Sequence, residues 1–192
     1  MFRRMTRERF LSDAELAAFM AAVRERRHKN QPRDYAFFAL LANTGIRPSE
    51  ALALRRSDCH LSGERPWIRV TRLKKRKTVP EFDELQITQE LAAMLQPHLE
   101  SVEHTPDAVV FALGKRQAER SFHHYSRLAG IRPGRWLYSL RHTAATRIYL
   151  ATRDIHIVQA ILGHERPDMS CIYAHVTRAL LRETAGRTAP AV

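Results

Sequence analysis

Leu140-Arg141-His142-Thr143, then Leu162-Gly163-His164 and, nine residues beyond that histidine, Tyr173, form the stretch on which the reading of this chain turns. Leu137, Leu140, Ala144 and Ile148 fall on one stripe at helical spacing and predict a helix over 139–150. A second helix is expected over 154–162, ended by Gly163, followed by a short turn over 167–174 and a last helix over 176–183. Short helices can carry an arginine, a histidine and a tyrosine to one point. Such a set suits attack on a phosphodiester, where cations neutralise the phosphorane and a side-chain oxygen is the nucleophile.

Upstream, Ser12-Asp13-Ala14-Glu15 reads as a capping box that starts a helix over 13–27, with Leu16, Phe19, Met20 and Val23 on its buried stripe. Gln31-Pro32 should break that helix. An apolar helix over 35–41 then ends at Asn43-Thr44-Gly45, and Pro48 fits the first turn of the next, over 48–54, which puts Arg47 at a helix entrance. Residues 60–88 change character: Trp67-Ile68-Arg69-Val70 and Leu85-Gln86-Ile87 alternate, and Ser62-Gly63 offers a turn. A small antiparallel sheet is expected there, with the basic hairpin Arg72-Leu73-Lys74-Lys75-Arg76-Lys77 projecting from one edge. Thr88 can cap a helix that stops near Pro97, and another helix should run over 116–129 to Gly130. The fold class is therefore mainly α with a small antiparallel β-sheet.

Thirty-two Lys and Arg against 20 Asp and Glu give a net charge of +12, spread over segments 3–9, 24–29, 55–56, 72–77 and 116–153 rather than confined to one end. Dispersed positive charge on folded segments reads as a surface for a polyanion, and double-stranded DNA is the expected partner. Cys59 and Cys171 are too few and too far apart for a disulfide framework or a zinc site, so a reducing compartment, the cytoplasm, is expected, with no metal. No apolar run approaches the ~20 residues of a membrane span.

Each candidate has an ordinary alternative. Arg47 could be a surface arginine beside a turn, and Arg141 a solvated residue on an amphipathic helix, although the alanines beside it argue for close packing around a fixed side chain. His164 could be a helix-end group and Tyr173 a core ring. A neutral phenol is a modest nucleophile, so nearby cations must favour the phenolate.

Taken in order, Thr44-Gly45-Ile46-Arg47-Pro48-Ser49-Glu50, the basic hairpin, Leu140-Arg141-His142-Thr143, Leu162-Gly163-His164 and Ile172-Tyr173-Ala174-His175-Val176 resemble the tyrosine recombinases, or phage-type integrases, over about residues 11–181. The resemblance implies that Arg47 and Arg141 clamp the scissile phosphate and His164 hydrogen-bonds it. It also implies that Tyr173 forms a 3′-phosphotyrosine and Glu50 supports Arg47. The family draws a general-acid lysine from the hairpin. Counting from Val70 favours Lys74, whereas counting back from Val79-Pro80 lands on Arg72, a poor proton donor. Arg72, Lys75 and Lys77 are then DNA-binding candidates. Tyr138 stands three residues before Arg141, where the family usually has histidine; a phenol can donate to phosphate but cannot shuttle protons near neutral pH.

The resemblance further implies no cofactor, and a homo-tetramer on DNA with a monomer when free. The expected organisation is a basic segment 1–10, a catalytic domain 11–183 and a flexible tail 184–192. Too few residues precede the first helix for the family's core-binding domain, so the reading expects a catalytic fragment or a compact enzyme similar to the fimbrial-switch invertases. Competing readings are a DNA-binding regulator that no longer cuts, a type IB topoisomerase and a metallohydrolase. The last is opposed by the lack of paired ligand spacing among His123, His124 and His142. Target sequence and the choice among integration, excision, inversion and resolution are not legible.

Overall fold

A computed structural model describes residues 10–72 and 81–163 of the chain. Its elements run α1 (Asp13–Glu25), α2 (Gln31–Thr44), α3 (Pro48–Leu52), β1 (Cys59–His60), β2 (Trp67–Arg72), β3 (Glu81–Gln86), α4 (Gln89–Ser101), α5 (Lys115–Leu128), α6 (Ser139–Thr152) and α7 (Ile155–Leu162). The strands form one antiparallel sheet in the order β1-β2-β3. The chain is thus mainly α with a small antiparallel sheet.

The most buried element is α2, whose residues 36–42 lie wholly inside, between α1, α4 and α6. A helix apolar on every side must be enclosed by others, which makes α2 the axis of the core. Phe19, Phe38, Phe122 and Tyr125 meet around it, mostly edge to face, with ring centroids 5.1–6.4 Å apart. The Tyr125 hydroxyl donates to buried Asp34 at 3.1 Å, and burial together with that carboxylate holds the phenol well above its ordinary value. Leu11 is tied to α6 where its amide donates to the Thr143 hydroxyl, 2.8 Å away.

The break expected at Gln31-Pro32 is present, since α1 ends at Glu25, whereas the stop expected near Pro97 is passed through. Pro32 sits in the first turn of α2, where its missing N–H costs nothing, and α4 continues past Pro97 to Ser101. Beyond that proline, His98 and Leu99 are buried, and their packing holds the last turn against the lost hydrogen bond. No helix among the described residues is long and apolar enough to cross a membrane.

His98 donates from Nε2 to the Val110 carbonyl at 2.7 Å and stacks on Phe111. Burial lowers its pKa, and Arg33 pushes the same way. The unfolded chain therefore binds a proton before the fold does as pH falls through about 6.5. The stability His98 contributes is full above that value and is lost as pH drops through the lower value of the folded state. Urea unfolding on either side of pH ~6.5 checks this. His98→Gln should flatten the acid limb, and an equally steep limb in the variant would contradict the assignment.

Candidate active site

The site begins with a turn. Gly45 ends α2 in the left-handed region (φ 66°), and a Cβ there would fall 2.8 Å from Leu162 Cδ2 and 3.1 Å from the Ala144 Cβ. Only glycine meets both demands, so α6 and α7 close directly on this turn. Arg47 follows as the residue before α3. Its amide donates to Glu50 Oε2 and its guanidinium to Glu50 Oε1, each at 2.8 Å. One carboxylate three residues on thus orients both the backbone and the side chain of Arg47.

Burial works against the charge of Arg47, but the Glu50 carboxylate and the nearby Tyr138 oxygen outweigh it and raise the pKa. The guanidinium stays cationic. Its side chain keeps 28% of its accessibility, whereas Glu50 is sealed, so Arg47 can meet an incoming anion and Glu50 cannot.

Arg141 lies on α6 and is the largest fully buried side chain described, at 1% exposure. Nη1 donates to the Gly45 carbonyl at 2.6 Å and Nη2 to the Leu162 carbonyl at 2.8 Å. The fork therefore joins the end of α2 to the end of α7. Tyr138, at the start of α6, places its ring 5.8 Å from the Arg141 guanidinium carbon and packs edge-on against His142. Tyr138 also helps to raise the pKa of Arg47, so it stands near both arginines.

Arg72 departs from expectation. Placed among the projecting, DNA-contacting hairpin residues by its sequence, it is 5% exposed and turned inward. The reason is strand alternation: along β2, Ile68, Val70 and Arg72 share the buried face. Arg72 donates to Glu50 Oε2 at 3.3 Å, to the Ile161 carbonyl at 3.2 Å and to Asp83 on β3. Glu50 thus carries two arginines. The period-2 pattern from Trp67 onward contains this answer, since residue 72 has the parity of 68 and 70.

Arg47, Glu50, Arg72, Tyr138 and Arg141, drawn from α3, β2 and α6, are brought together around the last turn of α7. Lys74, Lys75, Lys77, His164 and Tyr173 lie outside the described residues. Gly163, the residue before His164, ends α7 with φ 62°. Asp83 was missed in the sequence. It faces Val70 across the β2–β3 ladder, and the diagonal position brings it to Arg72.

Helix ends and one strand of this helical domain thus gather arginines about a buried carboxylate, an arrangement suited to an anionic ligand. More narrowly, the chain belongs to the phage integrase family, whose model matches residues 9–179. A tyrosine recombinase from Pseudothermotoga lettingae is 31% identical over 152 residues, covering 77% of this chain and 51% of that protein. The tyrosine recombinase XerH of Campylobacter jejuni is 30% identical over 185 residues, 92% of this chain and 51% of that one. The chain spans about half the length of the curated relatives it matches.

Solved structures agree on the fold. The XerH recombinase in its post-cleavage complex with palindromic difH superposes with a TM-score of 0.78 at 22% identity, over 94% of this chain and 53% of that one. The catalytic domain of bacteriophage HP1 integrase gives 0.65 at 23% identity, over 94% of this chain and 95% of that one. The fold is that of a tyrosine recombinase catalytic domain.

Proposed function

We propose that this chain is the catalytic unit of a site-specific DNA recombinase that breaks and rejoins strands through a 3′-phosphotyrosine. The observation that carries this reading is that Arg141 directly, and Arg47 through Glu50 and Arg72, are tied to the end of α7, directly before His164 in the sequence. In the reaction, the Tyr173 oxygen attacks phosphorus, the bond from phosphorus to the 5′-oxygen breaks, and the 5′-oxygen leaves with a proton. Lys74 supplies that proton, and Arg47, Arg141 and His164 hold the non-bridging oxygens. A 5′-hydroxyl of a partner strand then displaces Tyr173, restoring the phosphodiester. The energy of the broken bond is conserved in the protein link, so the exchange uses neither cofactor nor metal.

Tyr138 fits as a donor to the phosphate between the two arginines. Lys75 and Lys77 are assigned to the DNA backbone, with the net charge of +12 drawing the duplex in. Exchange between two duplexes implies a homo-tetramer assembled on DNA, from a monomer when free, working in the reducing cytoplasm.

The test is covalent capture. Fragmented genomic DNA from the source organism is incubated with the chain, adducts are isolated and sequenced, and a nicked duplex bearing the mapped site is then used to trap the complex. Digestion and mass spectrometry should find the nucleotide on Tyr173. An adduct on another residue, or none, would sink the reading. DNA binding without an adduct would favour a regulator that no longer cuts, to which Tyr138 in a histidine position lends some weight. Relaxation of supercoiled DNA at no preferred site would favour a topoisomerase.

A further inference from the structure

Counting along the sequence reaches the hairpin's catalytic cation two ways, at Lys74 or at Arg72, and of these Arg72 lies among the described residues. We infer that Arg72 is a positioning residue of the phosphodiester site: it locks Glu50, and through it Arg47, to the last turn of α7. It makes no contact with the leaving oxygen. The inference rests on the reading above.

Three elements converge on this one side chain. Its fork reaches Glu50 on α3, Asp83 on β3 and the Ile161 carbonyl of α7. The neighbouring carbonyl, Leu162, is held by Arg141. Two arginines therefore grip consecutive carbonyls at the end of one helix, where unpaired backbone acceptors attract cations. Gly163 completes the fit. A Cβ at that position would stand 3.1 Å from Arg72 Cζ, 3.1 Å from Nε and 3.4 Å from Nη2. These near-equal distances place Gly163 over the face of the guanidinium plane.

The accessibilities separate the roles of the two arginines that share Glu50. Arg47 keeps 28% of its side-chain surface and Arg72 only 3%. A phosphate arriving from solvent can meet the first; in the second, Nε, Nη1 and Nη2 already donate to Asp83, Glu50 and the Ile161 carbonyl. A guanidinium also holds its proton in proteins, so burying it at this position builds a scaffold rather than an acid. Lysine could not make the same set of contacts, because its ammonium is compact and lacks the planar fork.

The experiment uses the full chain as wild type, Arg72→Ala, Arg72→Lys and Asp83→Asn. The last removes only a half-exposed partner and so guards against a simple folding failure. One arm follows amide hydrogen exchange in the peptides covering α3 and the end of α7. The other measures adduct formation on the mapped duplex, with oxygen or sulfur as the bridging 5′ atom, since a thiolate leaves without needing a proton.

Arg72→Ala should speed exchange at both places and slow adduct formation about 10- to 100-fold, as when outer partners of a preorganised site are lost. The loss should be equal for the oxygen and sulfur duplexes, with Arg72→Lys and Asp83→Asn intermediate. Recovery of Arg72→Ala on the sulfur duplex alone would overturn the inference by making Arg72 a proton donor. Unchanged exchange would overturn it as well. If the wild type forms no adduct on any DNA, the recombinase reading fails, and the exchange arm alone then decides whether Arg72 holds the cluster.

Discussion

Arg141→Ala is expected to cost the fold roughly 2–6 kcal/mol, counting about 1–3 for each of two buried acceptors left unpaired. Those acceptors are the carbonyls of Gly45 and Leu162, which the guanidinium meets at 2.6 and 2.8 Å. The side chain is 1% exposed, so water does not readily replace it, and the void it leaves adds to the cost. Arg141→Lys should recover only part, because one ammonium cannot reproduce two parallel bonds to carbonyls on different helices. Denaturant unfolding measures this directly, and a variant as stable as wild type would contradict the anchoring role. In the proposed reaction the same change removes a phosphate donor, with a loss of about 10²- to 10³-fold in cleavage beyond any loss of folded protein. Rates normalised to the folded fraction separate the two effects.

Glu50→Ala is expected to be nearly as severe, at about 3–5 kcal/mol, for a different reason. It accepts from the Arg47 amide, the Arg47 guanidinium and Arg72. Without the carboxylate, the two guanidiniums lose the charge that holds them together. Glu50→Gln keeps the shape and an acceptor oxygen for the Arg47 amide, so it should cost less than alanine. The sign of the salt response distinguishes charge from packing: sulfate in place of chloride should stabilise Glu50→Ala more than wild type, by supplying an anion near the paired cations. Thermal unfolding in the two salts reads this out. Equal shifts in both proteins would mean that packing, not charge, dominates at residue 50.

The local signals of this chain are strong where short-range chemistry decides. The Ser12 capping box forms as read, with both of its hydrogen bonds, and Gly45 and Gly163 end α2 and α7 in left-handed geometry. Arg47 stands at the entrance to α3, as Pro48 requires. The break at Gln31-Pro32 forms as read, with α1 ending at Glu25, but the stop near Pro97 does not. At Pro32 the position in the first turn removes the penalty, and at Pro97 the burial of His98 and Leu99 exceeds it.

Arg72 was misjudged because charge was weighed above alternation. An arginine next to a lysine-rich run looks solvated, yet its parity places it with Ile68 and Val70. Its partners, Glu50 and Asp83, lie on other elements and are brought to it only by the tertiary fold. Arg141 was legible as a fixed side chain from its alanine neighbours. That its anchors are the Gly45 and Leu162 carbonyls was not, since a backbone oxygen has no signature in sequence.

The Arg141 fork spans partners 96 and 21 residues away along the chain. Contacts this distant close only after most of the loop entropy has been spent, and a local nucleus cannot contain them. A chain without α6 or α7 in place cannot bring the Gly45 turn, the α6 arginine and the end of α7 together. The cation cluster therefore depends on long-range closure and is expected to be missing from partial structures that hold only individual helices. For a protein whose proposed chemistry opens DNA strands, this ties the ability to cut to the finished fold and leaves incomplete molecules unarmed.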